Sequence, residues 1–437
     1  RRTPVSKAQT SKSAQHPRSQ GSQPTANRNV PHRVRPFEVT QKLPRLQRLA
    51  FGKALAPSRE RYDQLVDALW QGDPPMDCLL DWMMAEDSRN RKAMYELALK
   101  EGINKVENAP TELKTFFAMV DQEPVWLDRE LLEQGVSVVQ SLGEFGLYIM
   151  RDQALMVGYL LSGFNHALVA TGALNKGASQ RTGETLKWWM DCTEHGGMER
   201  FGEGFINTLH VRWVHGMVRR HLQSRKEWDS NEWGIPANQT DMIATYLAFG
   251  SVLLLGVRLG GVIITPRESR AVMHLWKYAG WLMGVEEQWL VDSELEGFRL
   301  LRHTQATQSR PDWTSKELGQ ALSKEPFERV YPWKNKFPRL HKLYLKYEYH
   351  SHLSLTRLFL SREQMNALGL PDWVLPWYPA MTTPMRVARE LYTRLGPVDR
   401  KKLERKGRKQ QRYRMQAVFG ERAHGIIKPD KNHPAHL

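Results

Sequence analysis

Cysteine pairs and short catalytic signatures are missing from this sequence. Its 437 residues include two cysteines, Cys78 and Cys192, and neither sits in a CxxC motif. A Cys-rich zinc site is therefore excluded, and a disulfide framework is disfavoured. The patterns GxGxxG, GxxxxGKS/T, HExxH and GxSxG are absent as well. The sequence thus gives no indication of a Rossmann fold, a P-loop, a zinc protease or an α/β-hydrolase.

Long apolar runs are also scarce. After Arg1 and Arg2, mostly Ser, Gln, Pro and Arg fill the positions where a secretory signal would need an apolar core. The longest apolar stretch, Ala244–Val257, is followed at once by Arg258. It is short for a bilayer span, which favours a helix buried in a protein core. The location in the cell stays open, with the cytoplasm slightly favoured.

Acidic residues are rare at both ends of the chain. The net charge is +16, yet residues 1–36 carry eight Lys/Arg and no acid, and residues 400–437 carry a net charge of +9. The body between them is close to neutral, at about −1, so it offers no basic face and no specific nucleic-acid partner is expected. We expect at most a weak contact with an anionic surface through residues 400–414.

The composition that is present belongs to a globular, helical protein. Hydrophobic residues make up 41% and charged residues 25%, and there are 15 Trp. Apolar residues recur at helical spacing, as in Leu113, Phe116 and Phe117, whereas strand-like alternation is scarce. The sequence predicts an all-α fold: a single helical domain over residues 45–395, between disordered basic segments 1–44 and 396–437.

The strongest chemical pattern lies in the segment VRWVHGMVRRHL. Val211, His215 and Val218 share one apolar stripe of its predicted helix, and Arg212 and Arg219 flank His215. A haem site combines an apolar wall, an axial imidazole and guanidinium groups near the propionates. The alternative is a hydrogen-bonded core histidine with arginines that pair with carboxylates.

Two other groupings are weaker signals. Arg181, Glu184 and Thr185 share one helix face, which is ordinary surface chemistry when taken alone. His350 and His352 could ligate a metal ion, but they have no evident third ligand.

Six segments follow one another in an order that resembles the MpaB-like oxygenase family, which includes the latex-clearing proteins (rubber oxygenases). The resemblance covers most of residues 60–390. The segments are GDPPMDCLLDWM (72–83), GYLLSGFNHALVATGAL (158–174), the Arg-x-x-x-Thr helix (181–185), VRWVHGMVRRHL (211–222), WGIPANQTDM (233–242) and HLWKYAGWLMGV (274–285).

The resemblance implies a mostly helical fold around a non-covalent haem b. His215 matches the proximal haem ligand, and Arg181 and Thr185 match the polar pair on the distal helix. Further cofactor-binding residues are expected on the helix of His215: His210, Arg212 and Arg219. A polar turn with a structural role is expected at Asn238, Gln239 and Asp241.

Glu184 departs from the family pattern. In latex-clearing proteins a lysine at this position can be a second axial ligand, so the glutamate implies an open or water-bound distal site, or a different distal arrangement. Glu184 or Asn165 is a candidate for the catalytic base.

The predicted function is a haem b-dependent oxygenase that uses O₂ to cleave C=C bonds of a lipophilic, unsaturated or isoprenoid substrate, giving carbonyl products. The apolar wall of its pocket is expected at Tyr159, Phe164, Leu168, Phe249 and Leu253. The alternative, kept open by Glu184, is a non-catalytic haem-binding carrier, sensor or redox protein.

Overall fold

The computed structural model describes residues 29–41, 52–172 and 178–419. Within these ranges a few side chains lie outside the described part, at positions 52, 53, 178, 179 and 181. The described chain consists of helices and connecting loops and contains no β-strand. The predicted all-α class is confirmed.

The chain up to residue 192 forms helices α1 to α9. Asp73 begins α2 by accepting a hydrogen bond from the Met76 amide, and Pro74 occupies the first turn. The bounds are Arg59–Asp67 (α1), Pro74–Ala85 (α2), Ser88–Glu101 (α3), Thr111–Asp121 (α4), Arg129–Ser141 (α5), Glu144–Ile149 (α6), Met156–Gly158 (α7), Ser162–Ala170 (α8) and Ala178–Cys192 (α9).

Helices α10 to α20 follow. Capping boxes begin α14 at Thr265 and Glu268 and α15 at Ser293 and Glu296. The bounds are Glu203–Gln223 (α10), Ser230–Trp233 (α11), Gln239–Leu247 (α12), Leu253–Leu259 (α13), Pro266–Leu282 (α14), Glu294–Ala306 (α15), Trp313–Lys324 (α16), Pro338–Phe359 (α17), Arg362–Ala367 (α18), Trp377–Leu395 (α19) and Arg400–Phe419 (α20).

Helix α14 lies at the centre of the core. Every residue from 271 to 280 is buried, and α14 runs along α5 and α12. Gly135 of α5 approaches α14 so closely that an added Cβ would lie 2.4 Å from the carbonyl oxygen of Ala271. Glycine at this position allows the two backbones to meet.

Two long helices are interrupted by π-helical segments. Met150–Leu155 joins α6 to α7, and Ala248–Val252 joins α12 to α13. The two segments contact each other. Near this contact an added Cβ at Gly256 would lie 1.7 Å from Oε1 of Gln153. Segments of this type are frequent at functional sites.

The helix that contains the long apolar stretch is packed in the core. Gln239–Leu259 is the one helix of the described residues with the length and mean hydropathy of a membrane span, and its apolar window is 61% buried. Leu247, Leu254 and Val257 are fully buried. These positions agree with the prediction of a core helix for this stretch.

Both predicted disordered segments contain ordered residues, which corrects the expectation for 29–41 and 396–419. Arg33 is buried and donates hydrogen bonds to the Asp241 carboxylate at 2.5 and 3.0 Å. At the other end, Gln411 of α20 donates to the carbonyl of Val139 at 3.0 Å. The basic composition of these segments predicted disorder. The sequence did not reveal that cations in them pair with acids far away along the chain.

Candidate active site

Helices α9 and α10 carry the predicted haem-binding and distal residues, whereas the alternative base Asn165 lies on α8. The two helices pack against each other in antiparallel directions. The indole N–H of Trp188 donates a 2.9 Å hydrogen bond to Oγ1 of Thr208. Continued along both helices, this register sets position 181 opposite His215 and position 185 about one turn away. The predicted proximal and distal residues therefore belong to two helices in direct contact.

His215 lies on a partly buried stripe of α10 together with Val211 and Val218. Its Nδ1 atom is shielded from solvent, although the residue as a whole is only partly buried. The next face of α10 is filled by α2, because an added Cβ at Gly216 would lie 2.5 Å from Cδ1 of Leu80. The imidazole thus projects from an apolar face that is distinct from the contact with α2.

Glu184 and Thr185 are partly buried on α9. Gln180 donates a 3.3 Å hydrogen bond to Oε1 of Glu184. The intervening Gly183 packs against α20, where an added Cβ would lie 2.9 Å from Cε1 of Phe419. The backbone of Arg181 belongs to α9, but its side chain lies outside the described residues, so its role stays a prediction.

The two arginines beside His215 pair with carboxylates of α2. Arg212 is buried and donates to both oxygens of Asp73, at 2.6 and 2.7 Å. Arg219 donates to Asp77 at 2.5 to 3.1 Å. These contacts match the alternative interpretation of the arginines and give them a structural role. A role at haem propionates stays a prediction that these contacts do not support.

His210 points towards α3, where its Nε2 lies 3.0 Å from Oε1 of Glu96. Burial would raise the pKa of Glu96, but hydrogen bonds from His210 and Lys100 outweigh it and lower the pKa to about 2. Five residues separate His210 from His215, which places them about 140° apart around the helix. The two imidazoles therefore serve different surfaces, and the cofactor-binding role of His210 stays a prediction.

The single apolar wall expected for the pocket is divided into two clusters. Tyr159, Phe164 and Leu168 pack with residues of α16 to α18. Phe249 belongs instead to the main core, where its ring stacks on Trp276 at 5.0 Å between centroids. The expected residues therefore come from two packing clusters, and a pocket wall that they share stays a prediction.

Sequence reasoning missed a set of buried charges that we call the buried ionic cluster. Within it, Arg151 donates to Glu325 at 2.9 Å, and Nδ1 of His352 lies 2.6 Å from Oδ2 of Asp152. Two pairs of the cluster are close in sequence: the neighbours Arg151 and Asp152, and Glu325 and Arg329 at i and i+4. The members are Arg151, Asp152, Glu325, Arg329, Glu348, His352 and Arg414.

The environment of the cluster also answers the question of a metal site at His350 and His352. Burial raises the pKa of Asp152 to about 7 against the opposing charge of Arg151. Burial, together with nearby guanidinium groups, holds the pKa of His352 well below its ordinary value. His350 is exposed, so the two imidazoles do not converge. The described residues contain no group of three His, Cys, Asp or Glu that could hold a metal ion.

Comparison with known proteins identifies the family of the chain, and the matched range includes the helix pair α9–α10. The sequence profile described as "ER-bound oxygenase mpaB/B'/Rubber oxygenase, catalytic domain" matches residues 147–394, which is more than half of the chain. The chain belongs to this family. It therefore carries an oxygenase-type catalytic domain. A search of the curated proteins found no match.

A solved structure supports the same fold. The latex clearing protein LCP in the closed state is similar to this chain, with a TM-score of 0.58 and 17% sequence identity over 79% of this chain and 91% of that chain. At this identity the likeness shows the fold, and the chemistry must be argued from the site.

The matched family range begins in α6 and ends in α19, so α20 lies outside it although it covers Gly183 of α9. The polar turn of the family pattern lies within the range. Asn238 begins α12 by accepting from the Asp241 amide, and Gln239 donates to the carbonyls of Gly72 and Gly284. These contacts support the structural role expected for the turn.

Proposed function

We propose that the chain is a haem b-dependent oxygenase that acts on a lipophilic, unsaturated or isoprenoid substrate, with His215 as the axial ligand of the haem iron. The reaction is O₂-dependent cleavage of a C=C bond to carbonyl products. The observation that carries the proposal is the partly buried imidazole on the valine stripe of α10, inside the range matched by the oxygenase family.

The chemistry of this stripe suits a haem group. Val211 and Val218 offer apolar contact to a macrocycle, and an imidazole is a common axial ligand. Bound haem would supply the redox-active iron at which O₂ is activated. The ion pairs of Arg212 and Arg219 hold α10 against α2, and in this proposal they position His215.

The polar residues of α9 are assigned to the opposite side of the substrate. The hydroxyl of Thr185 and the guanidinium of Arg181 can donate hydrogen bonds to an oxygen atom that carries partial negative charge. Glu184, which accepts a hydrogen bond from Gln180, can accept a proton from the substrate.

The absorption spectrum tests the cofactor. The purified protein is expected to show a Soret band and about one haem b per chain in a pyridine haemochrome assay. His215→Ala is expected to lose most of this haem, because the bond to iron is lost. His221→Ala is the matched control near the end of the same helix and is expected to keep it, with circular dichroism showing that both variants are folded. A colourless wild type that takes up no added hemin, or full haem content in the His215 variant, contradicts the proposal.

A haem-binding carrier, sensor or redox protein is the second candidate. It is favoured by Glu184, which occupies the position of a distal lysine in the family pattern. Oxygen consumption by the haem-loaded protein with a panel of isoprenoid and unsaturated lipid substrates separates the two functions. Turnover with any of them establishes the oxygenase, whereas stable haem without turnover across the panel favours the carrier, sensor or redox function.

A further inference from the structure

Helix α19 presents an apolar face to solvent. Pro379 is the one buried residue among its nineteen. Met381, Met385, Tyr392 and Leu395 are 67, 71, 69 and 85% exposed, and they recur at helical spacing along the outer face. Most monomeric proteins avoid apolar patches of this length, and those that exist mark binding surfaces.

The apolar face continues beyond α19 in both directions. Trp373 and Leu375, just before the helix, are 71 and 68% exposed. At the same end, the ring of Tyr347 in α17 lies 6.2 Å from the ring of Trp377. We call the whole surface the C-terminal apolar face; its main residues are Trp373, Leu375, Met381, Met385, Tyr392 and Leu395.

Basic residues border this face on the α17 side. The segment from 330 to 347 contains no acid. Its cations are all exposed, and they alternate along α17 with the exposed apolar residues Leu340 and Leu343. The cations are Lys334, Lys336, Arg339, Lys342 and Lys346.

A second basic border lies on α20. Helices α19 and α20 are joined at their near ends by Glu268, which is 2.9 Å from Arg394 and 3.1 Å from Arg400. The outward residues of α20 are almost all cationic: Lys401, Lys402, Arg405, Lys406, Lys409 and Arg412. The apolar row of α19 therefore meets exposed cations of α17 near its first turn and of α20 near its last turn.

We propose that the C-terminal apolar face and its two basic borders form a docking surface for a bilayer that contains anionic phospholipids. An apolar row with flanking Lys and Arg is the pattern of elements that lie in the membrane interface, with apolar side chains among the acyl chains and cations at the headgroups. From Met381 to Leu395 the row extends about 21 Å along the helix axis. This inference goes beyond the proposed function and does not depend on haem.

The charge pattern favours a lipid surface over two other partners. A second copy of this chain on the same face would bring like-charged borders together, which is unfavourable. A nucleic acid would satisfy the cations but would leave the Met, Leu and Trp side chains without apolar contact, because phosphate contacts dominate its binding. An anionic bilayer satisfies the charges and the apolar row together.

Vesicle co-sedimentation with the purified full-length chain tests the proposal. The wild type is expected to bind vesicles of phosphatidylcholine and phosphatidylserine at 7:3, and to bind pure phosphatidylcholine at least about tenfold more weakly, since each cation near an anionic surface contributes about fivefold. The double variant Met381→Asp/Met385→Asp is expected to lose most of this binding. The triple variant Lys402→Gln/Lys406→Gln/Lys409→Gln is also expected to lose most of this binding.

Matched control variants alter residues of the same kind outside the surface. Met84→Asp/Val125→Asp replaces exposed apolar residues and Arg225→Gln/Lys226→Gln replaces exposed cations; both are expected to bind like the wild type. All substituted positions are exposed, so thermal unfolding checks that the fold is unchanged.

Three results would overturn the proposal. The first is equal, weak binding of the wild type to both kinds of vesicle. The second is undiminished binding by the Met381/Met385 variant. The third is a concentration-dependent dimer, or a nucleic-acid complex, that these substitutions abolish while vesicle binding is absent.

Discussion

Arg212 and Asp73 form a buried ion pair one turn from His215. Both side chains are almost fully shielded from solvent, and the guanidinium also donates to the carbonyl of Leu282. A buried charge that loses its partner remains unsatisfied in a medium that solvates it poorly. The position of His215 relative to α2 therefore depends on this pair more than on the propensity of α10 to be helical.

Arg212→Ala is expected to lower the free energy of unfolding by about 3–5 kcal/mol, because Asp73 is left buried without its partner. Arg220→Ala, which removes an exposed pair with Asp81, is the control and is expected to cost below about 1 kcal/mol. Urea denaturation measures both. If Arg212 instead holds a haem propionate as its main role, the variant will lose haem while the stability of the haem-free protein stays unchanged.

At the scale of the element, the two π-helical segments bring α13 unusually close to α6. Gly256 has no space for a side chain because Oε1 of Gln153 and Cγ2 of Ile149 occupy it. The buried ionic cluster includes Arg151 and Asp152 of the π-helical segment Met150–Leu155. The contact between the two π-helical segments therefore lies where the apolar core meets the buried ionic cluster.

Gly256→Ala is expected to destabilise the protein by about 1–3 kcal/mol through overpacking at this contact. Gly158→Ala is the matched control, since nothing lies within 4 Å of its added Cβ, and its effect is expected to stay within about 1 kcal/mol. Thermal unfolding of the two variants makes the comparison. Equal midpoints for both would show that the contact can relax at no cost.

At the scale of the whole molecule, α20 completes the domain although the sequence presents it as a basic tail. Its Arg414 donates to Glu144 and to the hydroxyl of Tyr148 at 2.8 Å, and it pairs with Glu348 in the buried ionic cluster. The exposed cations on the outer face of α20 take no part in the buried ionic cluster. One helix therefore combines an anchoring face and a charged outer face.

A chain that ends at residue 395 is expected to unfold at least about 10 °C below the full chain, because Glu348 is left buried without Arg414. Lys402→Gln/Lys406→Gln in the full chain serves as the control and is expected to leave the midpoint unchanged. Differential scanning calorimetry measures both. An unchanged midpoint for the shortened chain would mean that the domain is complete without α20.

The all-α class, the helix of His215 and the family were accessible from the sequence because they depend on local periodicity and on the order of segments. The pairing of Arg212 with Asp73 was not, since the partners lie 139 residues apart and each side chain is compatible with several roles. Arg33 and Arg414 show the same limit at the two ends. Basic residues near the end of a chain suggest a disordered tail. Only the position of the distant carboxylate partner shows that such a residue is buried.

The π-helical segments also determine how this sequence can vary in length. Each of them holds one residue more than an α-helix would need for the same span. Removal of one residue from Ala248–Val252 would restore α-helical winding and leave the residues after it on nearly the same face of the helix. Gly256 would then still face Gln153, whereas a deletion from the regular part of α12 would rotate everything after it by about 100°. A one-residue deletion within a π-helical segment is thus a milder change than one elsewhere in these helices, and an alignment that omits a gap here would assign the wrong face to every following residue of α13.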